Sequence, residues 1–304
     1  MAYEIDPEIL AVRAVMAAAT GPFDIMAMPP AQGRALIDKA AAVLNDGLPE
    51  MASVEDHDVG GMRVRVLTPH GCRDGAWLYY LHGGGWFACS VDTHDRMLRM
   101  LAEKTGVRVV SPDYRHAPEH PYPAPLDDCA KGFDWALPRF GDRYAFGGDS
   151  AGGNMALALA MRLRDAGRPA PQGCALLYGC FSPDEDTLSQ RVFGRGGYGL
   201  TAERMNWYWS NYLGGNDALE ARPLRAPLQG LPPIFLGIAE ADTVADDSRL
   251  LHARLSEANV PSEIKVWRGA VHGFLQMTRD VALARKAVAD TAHAIRRWIG
   301  SRHG

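Results

Sequence analysis

The stretch AFGGDSAGGNMALALA, residues 145–160, passes from an apolar run to an alanine-rich one through Gly148-Asp149-Ser150-Ala151-Gly152. The first run reads as a strand ending at Phe146, the second as a helix beginning near Asn154. Between them the spacing is G-x-S-x-G. A strand-to-helix turn this tight forces its central serine into a strained backbone conformation and lifts the hydroxyl clear of the sheet. The residues two before and two after must approach closely, so only tiny side chains fit, and both are glycine. The serine also stands at a helix N-terminus, where free N–H groups and the helix dipole favour negative charge. Ser150 is therefore the candidate nucleophile; the plainer alternative is a glycine-rich turn carrying a solvated serine.

A serine nucleophile needs a base, and the base needs an orienting acid. Ten histidines compete for the first role. A base belongs on a loop at the carboxyl end of a strand, downstream of the nucleophile if the order is Ser, acid, His. In SEIKVWRGAVHGF (262–274) the last strand-like run is followed by a loop bearing His272 with Gly273 beside it, whereas His252 lies inside a helical pattern. The preceding strand, in PPIFLGIAEADTVADD (232–247), supplies the acids. Asp242 stands just past the strand end and is preferred, with Glu240 and Asp246 as lesser candidates; Asp246 and Asp247 read as N-terminal acids of the next helix.

The same logic explains LHGGGW, residues 81–86. Acyl transfer builds a negative oxygen, and losing one preorganised N–H donor to it costs about 2.7–4 kcal/mol. Glycines after an early strand let main-chain donors reach the site. Gly83 and Gly84 are the candidate donors from this loop, and Ala151, following the nucleophile, the third.

Around these points the chain alternates. MRVRVLTP, AWLYYLH, VRVVSPDY, RYAFGGD, CALLYG, PPIFLGIAE and SEIKVWRG read as strands, several of them continuously apolar as in a parallel sheet buried on both faces. Helical patterns lie between them, which predicts a mostly parallel α/β sheet. Two helices precede the sheet: one with Asp6 as N-cap and Pro7 at its first position, one closed by Gly47. Residues 182–212 break the rhythm with no strand and a helix rich in aromatics. Placed over the carboxyl ends of the strands, this insertion and the first helices could form a lid. Trp207, Tyr208, Trp209 and Tyr212 would then either line it or simply pack.

Composition removes other classes. A net charge of −4 leaves no basic footprint for nucleic acid. The N-terminus begins with acidic residues and lacks a basic segment before an apolar core, which argues against a secretory signal. No run is read as long and apolar enough to span a membrane. The five cysteines show no C-x-x-C spacing and read as reduced thiols, neither a zinc site nor a disulfide framework, pointing to the cytoplasm.

In HGGGW (82–86), PDYRHAPEHPYPAPLDD (112–128), GDSAGGN (148–154), AEADTVADD (239–247) and HGF (272–274), the chain resembles the hormone-sensitive-lipase-like, or family IV, bacterial esterases. The resemblance covers about residues 60–280. It implies an α/β-hydrolase fold with a mostly parallel twisted sheet, flanking helices and a helical cap. Residues 1–48 would contribute helices to the cap, 182–212 would be its insertion, and 49–181 with 213–304 the core. It implies hydrolysis of small acyl esters by Ser150, Asp242 and His272, an oxyanion hole from the Gly83, Gly84 and Ala151 amides, and a loop-shaping role for His82. It requires no metal or organic cofactor and admits a homodimer. Departures fall at Gly179, Val244 and Asp247, where relatives usually carry proline, leucine and glutamate.

Bulky Trp86, Phe87, Tyr178 and Trp207 are read as lining a confined pocket, which favours short acyl chains. Two other functions use the same features. The triad chemistry would serve an amidase, a formamidase or a lactonase, and the fold also serves non-catalytic small-ligand receptors, although such receptors would be expected to lose a triad member.

Overall fold

The computed structural model describes residues 3–184 and 186–300. Its elements match the predicted alternation: α1 (Pro7–Thr20), α2 (Pro30–Ala42), β1 (Ser53–Asp58), β2 (Arg63–Thr68), β3 (Trp77–Leu81), α3 (Asp95–Thr105), β4 (Arg108–Pro112), α4 (Ala124–Phe140), β5 (Tyr144–Asp149) and α5 (Ala151–Asp165). The second half adds β6 (Cys174–Leu177), α6 (Leu188–Phe193), α7 (Ala202–Leu213), β7 (Ile234–Ala241), α8 (Ala245–Glu257), β8 (Ser262–Val271) and α9 (Ala282–Ile299). The sheet order is β1-β2-β4-β3-β5-β6-β7-β8. Pairing is parallel from β4 through β8 and antiparallel for β1 with β2 and β2 with β4.

The continuously apolar strands are buried on both faces. In β3 every residue is buried, with Trp77, Tyr79 and Leu81 packing into one layer and Leu78 and Tyr80 into the opposite one. The first layer is completed by α4, α5 and α8 through residues such as Phe133, Met155 and Leu251, the second by α3 and α9 through Leu98, Leu101 and Ile295. An alternating polar face is therefore impossible in β3, which explains its unbroken apolar pattern.

Strand β1, SVEDHD, escapes a reading by periodicity because it has no apolar alternation. It forms as an exposed edge by other means. Gly60 and Gly61, both at positive φ, make the tight turn, closed by the Val59 N–H donating to the Met62 carbonyl at 2.8 Å. Asp56 lies directly opposite Arg65, whose guanidinium donates two hydrogen bonds of 2.7 Å to its carboxylate. A cross-strand pair of opposite charge stabilises a hairpin by about 0.2–1 kcal/mol.

The Asp6 carboxylate caps α1 as predicted, accepting from the Glu8 N–H at 2.8 Å with Pro7 at the first position. The second helix ends earlier than Gly47: α2 stops at Ala42 and a 3₁₀ turn carries the chain to Asn45. One expectation is corrected at the N-terminus, where Pro7–Ala27 is long and apolar enough to meet a composition test for a membrane span. The α-helix within it, however, ends at Thr20 and covers only about 21 Å at 1.5 Å per residue.

β3 is the topological switch point. The chain passes from it outward to β4, then returns to its other side with β5. The crevice beyond the carboxyl ends of the strands at such a point is where open α/β sheets bind ligands.

Candidate active site

The three predicted triad residues and the loop-shaping His82 are each the first residue after a strand. His82 comes after β3, Ser150 after β5, Asp242 after β7 and His272 after β8. Four parallel strands thus deliver four side chains to one edge of the sheet, although 190 positions separate the first from the last.

Ser150 sits at φ 52°, ψ −122°, between the strand and α5. The helix begins at Ala151, three residues before the expected Asn154, so the turn is tighter than the sequence pattern indicates. That geometry depends on the flanking glycines. A Cβ on Gly148 would overlap the Gly152 carbonyl, and one on Gly152 would overlap the Leu81 carbonyl of β3. Asn154, one turn into the helix, donates its side-chain amide to the Cys180 and Ala221 carbonyls at 3.0 and 3.1 Å, tying the segment after β6 to the turn.

The Ser150 Oγ lies 2.8 Å from His272 Nε2, and His272 Nδ1 lies 2.7 Å from Asp242 Oδ2. Asp242 is buried, and its other oxygen accepts the Val244 N–H at 3.1 Å. A carboxylate can only accept, so the proton between them resides on Nδ1 and the Nε2 lone pair faces the serine hydroxyl. Burial alone would push the His272 imidazole down, but the charge and hydrogen bond of Asp242, helped by Asp149, outweigh it and raise its pKa above 6.5. The lesser acid candidates are occupied elsewhere. Glu240 accepts the Gly269 N–H at 2.9 Å beside a separate cavity, and Asp246 holds the Ser189 N–H and Arg249.

The glycine loop corrects one predicted donor. The buried Gly83 N–H donates to Asp149 Oδ1 at 3.0 Å, so it is not free to meet a developing oxyanion. Gly84 and Gly85 line the same cavity as Ser150 and His272, and among the described residues their amides have no hydrogen-bond partner. Ala151 opens α5, where the first N–H groups have no partner within the helix. The available donors are thus Gly84, Gly85 and Ala151, one residue further along the loop than expected. Gly84, at φ 123°, packs so tightly that a Cβ would overlap the Ala88 carbonyl.

Asp149, the residue before the nucleophile, is the main feature that the motif leaves unmarked. Its carboxylate receives the Tyr80 hydroxyl at 3.0 Å and the Gly83 amide, and lies 3.4 Å from His94 Nε2. Burial alone would raise its pKa, but His94, Tyr80 and His82 outweigh it and hold the carboxyl below its ordinary value. One buried carboxylate therefore fixes the glycine loop to the serine turn. His82 is not a base: it is fully buried, stacked on Tyr114 at 4.2 Å, and pushed down to about 4, first by burial and then by His94.

The cavity over Ser150 measures about 680 Å³ and is roofed by α1, the chain around α2, the segment before α7 and Tyr208. Of the four predicted pocket residues only Tyr178 lines it. Trp86 is fully buried in the core, stacked face to face on Tyr212 at 4.1 Å and against Trp209 at 4.5 Å. Phe87 is also fully buried, under Ile25 and Gly33, and Trp207 packs on its edge at 4.9 Å. These three are corrected from pocket to packing. Of the aromatic cluster in α7, Tyr208 faces the cavity. Two of the noted departures are also structural. A Cβ at Gly179 would overlap Phe181, and Asp247 accepts the Phe181 N–H at 2.8 Å.

A family model described as alpha/beta hydrolase fold matches residues 78–276. The chain is 36% identical over 247 residues to an acetyl esterase of Salmonella paratyphi B, covering 77% of this chain and 75% of that one. It is similar to the crystal structure of an esterase from the bacterial hormone-sensitive lipase family, with 30% identity, a TM-score of 0.90 and coverage of 99% of this chain and 100% of the other. A solved ester-hydrolase from the metagenome of Lake Arreo shares 34% identity, with a TM-score of 0.89 and coverage of 98% and 100%.

Proposed function

Because the chain belongs to the hormone-sensitive-lipase-like group of α/β-hydrolases and is a carboxylic ester hydrolase, we propose that it cleaves short-chain acyl esters through Ser150, His272 and Asp242. The observation that carries this reading is the unbroken chain of contacts from Ser150 Oγ to His272 to the buried Asp242. His272 Nε2 accepts the hydroxyl proton as Ser150 Oγ attacks the ester carbonyl. The imidazolium formed is stabilised by Asp242, then gives its proton to the leaving alcohol. Water, deprotonated by the same nitrogen, releases the acid from the acyl-enzyme. General acid–base assistance of this kind contributes about 10²–10⁴-fold.

The negative oxygen of each tetrahedral intermediate rests on the Gly84, Gly85 and Ala151 amides. The short-chain part of the reading is supported by the similarity to an acetyl esterase, and no longer by Trp86, Phe87 or Trp207. Folded Ser150→Ala should lose turnover of p-nitrophenyl acetate by several orders of magnitude, and a parental rate would refute the mechanism. Among acetyl, butyryl and decanoyl esters, kcat/KM should fall with chain length, and a preference for decanoyl would refute the chain-length assignment.

A further inference from the structure

The cavity over Ser150 contains positive charge that hydrolysis of a neutral ester does not use. Arg13, in the middle of α1, and Arg204, in the first turn of α7, both line it together with Ser150 and His272. Three other partly buried guanidinium groups are each matched to a carboxylate. Arg34 holds Glu119, Arg65 holds Asp56, and Arg162 holds Glu220. Arg13 and Arg204 form no ion pair among the described residues, and Arg204 Nε is buried with no hydrogen-bond partner. Burial lowers the pKa of the Arg13 guanidinium, with no offsetting anion nearby.

A third donor faces the same space. Gln276, four residues beyond His272, lines the cavity, and its side-chain amide nitrogen is buried without a partner. Among the described residues the one carboxylate lining the cavity, Asp149, is already engaged by Tyr80, Gly83 and His94. Unmatched donors at a buried site carry a desolvation cost that a bound acceptor would remove.

Their placement relative to the chemistry is defined. Tyr208 packs so closely on Gly85 of the donor loop that a Cβ there would lie 2.5 Å from its ring. Arg204 is four residues earlier on α7, hence on the same face one helical turn away. Arg13 reaches across to Gly199, in the segment entering that helix. Three elements thus bring cationic or amide donors to the cavity that also holds Ser150, His272 and the donor loop.

We propose that Arg13, Arg204 and Gln276 form a subsite for a carboxylate, so that the preferred substrates are short-chain esters bearing a negatively charged carboxylate away from the scissile bond. This rests on the esterase reading and specifies its substrate class. The reaction itself is unchanged: water adds across the acyl–oxygen bond, and the carboxylate only anchors the substrate.

Two matched pairs test it. Mono-p-nitrophenyl adipate against p-nitrophenyl hexanoate places the charge on the acyl side. 4-Acetoxyphenylacetate against its methyl ester places it on the alcohol side. In at least one pair the anionic member should have the higher kcat/KM by about tenfold, the scale of a charge-assisted hydrogen bond. That preference should shrink as sodium chloride is raised, and it should fall severalfold in Arg204→Met and in Arg13→Met. The pair that responds identifies the side that carries the charge. A ratio of one or less in both pairs for the parent enzyme overturns the proposal without recourse to any variant. So does an unchanged ratio in variants shown to be folded by circular dichroism. Hydrolysis of the neutral members alone overturns the subsite and leaves the esterase reading standing; hydrolysis of none of the four overturns both.

Discussion

Replacing Asp242 by asparagine removes a charge while keeping the shape of the side chain, and the bonds around that side chain determine the consequence. The carboxylate accepts two hydrogen bonds at once, from His272 Nδ1 at 2.7 Å and from the Val244 N–H at 3.1 Å. An asparagine has only one acceptor oxygen. If that oxygen serves Val244, the amide NH₂ faces Nδ1 and favours the tautomer with its proton on Nε2, where it blocks attack by Ser150. If it serves His272, a donor faces the buried Val244 N–H. The first orientation reverses the bond to His272, the second loses the bond to Val244, and both lose the charge that stabilises the imidazolium. Loss of this acid in a serine triad costs about 10⁴-fold in kcat, or about 5.5 kcal/mol of barrier. The pH profile must also move. The neutral imidazole is the base, so parental kcat/KM falls as pH drops through a His272 pKa that Asp242 holds above 6.5 against the opposing effect of burial. Without the charge, burial weighs more heavily, the pKa drops, and the acid limb of the residual activity moves to lower pH. The assay is kcat/KM for p-nitrophenyl acetate between pH 5 and 9, with circular dichroism to verify folding. Activity within tenfold of the parent, or an acid limb moved to higher pH, would refute the reasoning.

Gly85→Ala should lower kcat by about 10²–10³-fold, since its Cβ displaces the loop from Tyr208 and misaims a donor; unchanged kcat for acetyl esters would remove Gly85 from the oxyanion hole. Asp149→Asn should slow both fluorophosphonate labelling of Ser150 and ester turnover, because it weakens the link from Gly83 to the serine turn. Equal rates in the parent and the variant would make Asp149 a bystander. Trp86→Ala should destabilise the fold by about 3–5 kcal/mol in urea titration, the cost of a cavity in a packed core; a change in acyl selectivity with stability intact would return Trp86 to the pocket. Asn154→Ala, losing bonds to Cys180 and Ala221, should cost about 1–3 kcal/mol by the same measurement, and parental stability would show those bonds to be dispensable.

What the sequence made legible depended on how locally each feature is encoded. The turn at Ser150 is specified by its own glycines, each excluded from bearing a Cβ by backbone that must pass close by. The positions of Asp242 and His272 are set by topology, since both come directly after strands. The donor loop was legible in outline but not to the residue, because which amide is free depends on Asp149, 66 positions away in the chain. Trp86, Phe87 and Trp207 were misplaced for a related reason. Aromatic composition does not distinguish a wall from a core, and it is the stacking of Trp86 on Tyr212 that decides. Strand β1 was hidden because its pairing rests on charges such as Asp56 opposite Arg65 instead of on apolar alternation. Arg13, Arg204 and Gln276 left no local signal at all, since only the folded chain brings α1, α7 and the turn after His272 around one cavity.

Ser150 as the nucleophile is the central claim, and trapping it is the most direct test. Treating the protein with a fluorophosphonate and mapping the adduct by peptide mass spectrometry should give one modified residue, Ser150, with activity lost in proportion to labelling and no adduct in His272→Ala over the same interval. An adduct on another residue, or full labelling with esterase activity retained, would contradict the claim.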